Sequence, residues 1–228
     1  MSLKAQLDIC RCSFEANAEM DLVAAMQQSI RQLSETSLLA NAVKAGETAP
    51  RFRLRYGCRG FVDLWDLLNR GPVVVSFFRG DWCRFCVLEL KALAQAYAEI
   101  ERLGATLVAL SPQDPGQSFC PGSDGAPPFP ILKDFGCDIA VRYRIAFTVP
   151  RQFRGAYLAI GYPNPGKIGS KGWVAPIPAT YVLNSTGLVV LSYLDADHTT
   201  RLEPTEIIVA LTHLRAARAF PAGIIDSL

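Results

Sequence analysis

Val73-Val74-Val75-Ser76-Phe77-Phe78-Arg79-Gly80-Asp81-Trp82-Cys83-Arg84-Phe85-Cys86 is the stretch from which the fold can be read. The run from 73 to 78 is apolar with little alternation, which predicts a strand covered on both faces of a sheet. From Cys86 the pattern turns helical. Val87, Leu90, Ala94, Tyr97 and Ile100 fall on one side as far as about Leu103, and Gly104 ends the helix. Two cysteines are thereby placed at a helix mouth. The N-H groups of a first helical turn lack intrahelical partners and the macrodipole is positive there, so a thiolate is favoured over a thiol. The rival use of C-x-x-C is half of a zinc site, which needs a second pair of ligands. The sequence holds no second C-x-x-C, so the pattern points to redox chemistry.

Working outward, Ala105 to Leu110 predicts a second strand directly after the helix, giving a β-α-β unit with a right-handed crossover. Upstream, Arg51, Arg53 and Arg55 alternate around Gly57 and Gly60 and predict a half-exposed hairpin with its arginines solvated. Downstream, a Pro/Gly/Asp-rich loop spans Pro112 to Pro128. Phe129 to Leu132 then predicts a short strand and Cys137 to Tyr143 a short helix. Ala179 to Leu183 and Leu188 to Leu194 predict two strands around the turn Asn184-Ser185-Thr186-Gly187. A last helix runs from near Pro204 to about Ala219. Two segments stand apart. Residues 1–45 predict a helical extension, with Leu22, Met26, Ile30 and Leu33 at helical spacing within an amphipathic stretch from about Phe14 to Val43. That stripe suits core packing, or else a homodimer contact. Residues 46–228 form the main domain, with an insertion at about 150–177 longer than ordinary connections.

The 228 residues are half hydrophobic, enough for a sizeable core, and the formal charge of +2 offers no field for nucleic acid or a membrane surface. No run approaches the roughly 20 apolar residues of a membrane span, and Met1-Ser2-Leu3-Lys4 does not open a secretory signal. The cytoplasm is the expected location. Seven scattered cysteines also suit a reducing compartment.

The order of elements, with C-x-x-C after the first central strand, resembles the thioredoxin superfamily over about residues 46 to 219. Within it the chain is most similar to the peroxiredoxin-like branch, alkyl hydroperoxide reductase/thiol-specific antioxidant. The stretch from Val74 to Cys86 carries the resemblance, supported by Glu89-Leu90, by Leu107 to Gln113 and by Pro178 to Leu183. It implies an α/β thioredoxin-like fold, a central mixed sheet flanked by helices. It also implies a thiol-dependent antioxidant oxidoreductase whose Cys83-Cys86 pair cycles between dithiol and disulfide without a metal or other cofactor. The substrate is then a peroxide or a disulfide, and the electron donor a dithiol system such as thioredoxin or glutathione.

Two family patterns overlie the same residues and assign the chemistry to different sulfurs. The peroxiredoxin motif makes Cys86 the attacking sulfur, with Glu89-Leu90 in register. Arg79 then stands where that motif has proline, Cys83 where it has Thr or Ser, and Pro178 where an arginine normally steadies the thiolate; Arg79 is a candidate to supply the missing charge. The thioredoxin motif instead makes Cys83 the attacking thiolate, Cys86 the resolving thiol and Pro178 a cis proline facing them. That pattern implies a protein disulfide reductase. A third reading keeps the fold but uses it as a redox-regulated or redox-silent binding protein.

Trp82 reads as packing beside the site or else a partner-docking surface, Glu89 as a helix residue or ion-pair member, and Gln113 as a loop cap. Cys120, in the Gly/Pro-rich loop, is a possible resolving thiol. Cys10, Cys12, Cys58 and Cys137 read as incidental thiols. His198, between Asp197 and Thr199, and His213 read as turn and helix residues rather than metal ligands. Tyr157 and Trp173 in the insertion read as core or lid residues.

Overall fold

The structure is a computed structural model, and it describes residues 1–57, 59–113, 126–163 and 172–219. Helices α1 (Leu3–Asn17), α2 (Met20–Ser34) and α3 (Leu38–Asn41) come first. An antiparallel hairpin, β1 (Arg53–Arg55) and β2 (Phe61–Asp63), leads into α4 (Leu64–Leu68). Then follow β3 (Val73–Phe77), α5 (Arg84–Arg102), β4 (Thr106–Ser111), β5 (Ile131–Lys133) and α6 (Asp138–Arg142). Strand β6 (Ala146–Thr148), helix α7 (Arg154–Ala159) and strand β7 (Val174–Pro176) span the predicted insertion, β6 and β7 pairing antiparallel. Strands β8 (Ala179–Leu183) and β9 (Val189–Leu194) precede α8 (Pro204–Ala219).

The central sheet has the order β5-β4-β3-β8-β9, with β3, β4 and β5 parallel, β8 antiparallel to β3, and β9 antiparallel to β8 and so parallel to the first three. Its middle strand is buried throughout, as its unbroken apolar run requires. Val73, Val75 and Phe77 face one core with Val108, Tyr143 and Tyr181. Val74 and Phe78 face the other with Leu107, Val182 and the apolar side of α5. Both faces are closed, so the thiol pair at the end of β3 stands on a rigid support.

Helix α1 begins at Leu3, well before Phe14, where the spacing first reads as helical. Leu3, Leu7 and Cys10 follow one stripe into the core beneath α5. The Ser2 hydroxyl accepts from the Ala5 N-H, and the Glu203 carboxylate, at the head of α8, accepts from the N-H groups of Leu3 and Lys4. Orphan donors of a helix start are thereby satisfied from the far end of the chain. Helix α2 packs on α7, and Met26, Tyr157, Tyr162 and Val149 form a third core there.

The cis bond expected before Pro178 is not found: among the described residues every peptide is trans. The Ile177 N-H donates to the Ile145 carbonyl, and the chain runs extended from β7 into β8. An X-Pro bond follows its ordinary preference for trans, about 0.5–1 kcal/mol, when nothing imposes the alternative.

Candidate active site

Cys83 is the residue just before α5, and Cys86 lies in its first turn, so both sulfurs sit at the positive end of a 19-residue helix. A tight loop between β3 and α5 holds them. The Cys83 N-H donates to the Gly80 carbonyl, and Gly80 has φ +146°, a conformation side chains rarely adopt. A Cβ on Gly80 would stand 2.2 Å from Gln113 Oε1 and 2.5 Å from Trp82 Nε1. Gln113 Oε1 accepts from the Asp81 N-H at 3.1 Å, so Gln113 caps this loop.

The two sulfurs lie near 3.2 Å apart without a bond between them. The hydrogen bond from the Cys86 thiol pushes Cys83 down to about 6 against the cost of burial, and the charges of Arg79 and Arg201 assist. Burial, and then the bond to Cys83 and its charge, hold Cys86 above the ordinary thiol range. Cys86 also receives two N-H donors: Arg201 Nη2 at 3.0 Å and the Arg79 backbone N-H at 3.5 Å.

Arg201 is the residue that sequence reasoning missed. Only 7% exposed, it donates through Nε to Glu89 and through Nη1 to the His198 and Thr200 carbonyls. Glu89, 2% exposed, also accepts from the Thr180 hydroxyl at 3.4 Å. Burial lifts the Glu89 carboxyl to about 7, with Arg201 opposing and the Cys86 charge adding. Glu89 and Arg201 form a buried pair that holds the guanidinium against the Cys86 sulfur. His198 touches Phe85 edge-on and is kept neutral by burial and by Arg79 and Arg201. Asp195 and Asp197 accept from turn N-H groups at 197 and 199, so their carboxylates serve the turn.

The pair meets a cavity of about 640 Å³ through Cys83. Trp82 to Phe85 form one wall, α1 and α2 the other, and Cys86 lies behind with no exposed surface. Arg79 and Trp82 also line it, whereas Pro178 lines a separate, far smaller space beside Arg79, Tyr157 and His198. The structure thus gathers Arg79, Trp82, Cys83, Cys86 and Glu89 around one point. Cys58 and Cys120 lie outside the described residues. Cys137 is buried, its thiol raised by burial, and it donates to the Val174 carbonyl. Tyr157 is buried in the third core and Trp173 stacks on Tyr162.

A mixed sheet with a thiol pair at the helix after its central strand defines a thioredoxin-like thiol oxidoreductase. The AhpC/TSA family model matches residues 45–192, and the chain belongs to that family of peroxiredoxin-like thiol peroxidases. It is 26% identical over 191 residues to chloroplastic peroxiredoxin Q of Gentiana triflora, covering 84% of this chain and 75% of that one. The putative peroxiredoxin bcp of Helicobacter pylori is 33% identical over 72 residues, 32% of this chain and 47% of that protein. Among solved structures, peroxidoxin BcpB of Mycobacterium tuberculosis aligns with a TM-score of 0.57 at 19% identity, covering 76% of this chain and 97% of the other. Yeast mitochondrial 1-Cys peroxiredoxin aligns at 0.58 and 16% identity, covering 82% and 83%. No helix among the described residues is long and apolar enough to cross a membrane.

Proposed function

We propose that the protein reduces a peroxide at Cys83 and closes a Cys83–Cys86 disulfide. The observation that carries this reading is the pair itself: two sulfurs near 3.2 Å apart, one lowered to about 6, with Cys83 alone on the cavity wall. The Cys83 thiolate attacks the O–O bond, giving a sulfenic acid on Cys83 and an alcohol or water once the leaving oxygen takes a proton. The Cys86 thiol then displaces the sulfenic hydroxyl as water and the disulfide forms. A dithiol donor reduces that disulfide by thiol exchange and is itself oxidised. The yeast relative is described with glutathione and thioredoxin systems, and a donor of that chemistry in a reducing compartment such as the cytoplasm suits this pair.

A specific contact favours the reverse order. Cys86 carries the two N-H donors and stands in register with Glu89-Leu90. Hydrogen peroxide with dithiothreitol as donor separates the two. The expected outcome is that Cys83→Ser abolishes turnover, while Cys86→Ser forms one sulfenic acid, captured by dimedone on Cys83, and then stops. Dimedone on Cys86 in Cys83→Ser, with Cys86→Ser inert, would establish the reverse order. Reduction of insulin without peroxide consumption would establish the protein disulfide reductase instead.

A further inference from the structure

Glu89, Cys86 and Arg201 are 2%, 0% and 7% exposed, so one guanidinium is buried between two acids. Its Nε donates to Glu89 Oε2 at 2.5 Å and its Nη2 to Cys86 Sγ at 3.0 Å. Cys86 and Glu89 stand three residues apart on α5, a spacing that sets two side chains on one helix face. A buried ion is costly unless an opposite charge meets it. The charges of the sulfurs and of Glu89 both fall on Arg201. Arg79, the other buried cation beside the pair, acts on Cys83 and His198, whereas Arg201 is the cation that acts on Glu89. Glu89 and the sulfur pair thus compete for one guanidinium.

The rest of the pocket suits either form of the Glu89 carboxyl. Thr180 on β8 places its hydroxyl 3.4 Å from Glu89 Oε1. A hydroxyl donates to a carboxylate oxygen and accepts from a carboxyl O–H, so Oε1 has a partner in both forms. While a thiolate stands on the pair, burial and the sulfur charge keep Glu89 protonated up to about 7, with Arg201 opposing. Once the sulfur is a sulfenic acid or part of a disulfide, its charge is gone and Glu89 is the anion left to Arg201. His198 is neutral beside the thiolate and stays so without it, because the charges of Arg79 and Arg201 both disfavour its cation.

We propose that Glu89 is the proton store of the redox cycle: it is a carboxylic acid while the sulfur pair carries the negative charge and a carboxylate once that charge is lost, so that Arg201 always faces one anion. This deepens the function proposed above and rests on its Cys83–Cys86 couple. Thiolate Cys83, thiol Cys86, acid Glu89 and ROOH give the disulfide, the Glu89 carboxylate, ROH and water. The O–O bond breaks, the S–S bond forms, and the proton lost by Glu89 balances the one taken up by the leaving oxygen. In the return step the dithiol donor closes its own disulfide, and its two protons balance those regained by Cys86 and Glu89. Glu89 acts through Arg201, as a positioning residue whose signature is a proton count.

The potential of the couple, set with dithiothreitol buffers in the full chain at pH values between about 6 and about 7, tests this. On reduction the unaltered protein should bind most of one proton more than Glu89→Gln does. Its dithiol–disulfide equilibrium constant should then change nearly tenfold more per pH unit, about 30 mV. The disulfide-minus-dithiol infrared spectrum in the same range should lose a protonated-carboxyl C=O band, and that of Glu89→Gln should not. Absence of that loss in the unaltered protein overturns the proposal and needs no variant to fold. A loss that persists in Glu89→Gln, or equal slopes in the two proteins, overturns it as well. Peroxide turnover without the extra proton sinks this inference alone, whereas the extra proton without peroxide turnover sinks the function proposed above and leaves the proton store standing.

Discussion

Arg201 lies 115 positions from Cys86 and 112 from Glu89, yet it touches both. No local pattern announces such a residue, because its role exists only once α8 has docked beside α5. The cysteines were legible for the opposite reason: their spacing and the strand before them are local. Arg79 was legible as a charge near the pair, but its sulfur contact comes from its backbone N-H, while its side chain turns to Trp82 and Tyr157. The buried Arg201–Glu89 pair makes a signed prediction. Removing an opposite charge within reach of a thiolate raises its pKa by about one to three units. Arg201→Met should move the pH midpoint of Cys83 alkylation upward, by less than that range, because the Cys86 hydrogen bond and Arg79 remain. Glu89→Gln should leave it nearly unchanged, since a carboxyl lifted to about 7 carries little charge at a midpoint of about 6. Alkylation rates across pH for the two variants check the difference between them.

Strands β3, β4, β8 and β9 and helices α5 and α8 follow their sequence patterns closely, because burial on one or two sheet faces imposes a period that composition reveals. Helix α1 is less legible, although Leu3, Leu7, Cys10 and Phe14 carry helical spacing, because a cysteine interrupts the aliphatic stripe and Phe14 also suits the start of the next one. Its packing is what brings it into the fold. Leu7 is 4% exposed against the core under α5, so Leu7→Ala should cost about 2–5 kcal/mol, read from urea unfolding. A loss below about 0.5 kcal/mol would show that α1 is not an integral part of this core. The trans bond at Pro178 belongs to the same scale. A W-C-x-x-C motif and a distant proline share a sequence pattern, but the proline's isomer is set by how β7 runs into β8.

At the scale of the molecule, the N-terminal helices and the insertion meet around the third core, and the cavity in front of Cys83 is bounded by α1, α2 and the Trp82 loop together. None of these surfaces is recognisable alone, since each wall comes from a different part of the chain. Their combined effect is to bring Cys83, itself only 4% exposed, to the cavity edge with Cys86 wholly buried behind it. The ionisation of that sulfur should govern reactivity: the thiolate fraction of Cys83 rises as pH increases through about 6 and then levels. Rapid iodoacetamide labelling of the reduced protein across pH, with peptide mapping, measures this most directly. The expected result is label on Cys83 first, with a midpoint at about 6. Label appearing first on Cys86, or a Cys83 midpoint in the ordinary thiol range of about 8.5, would contradict it.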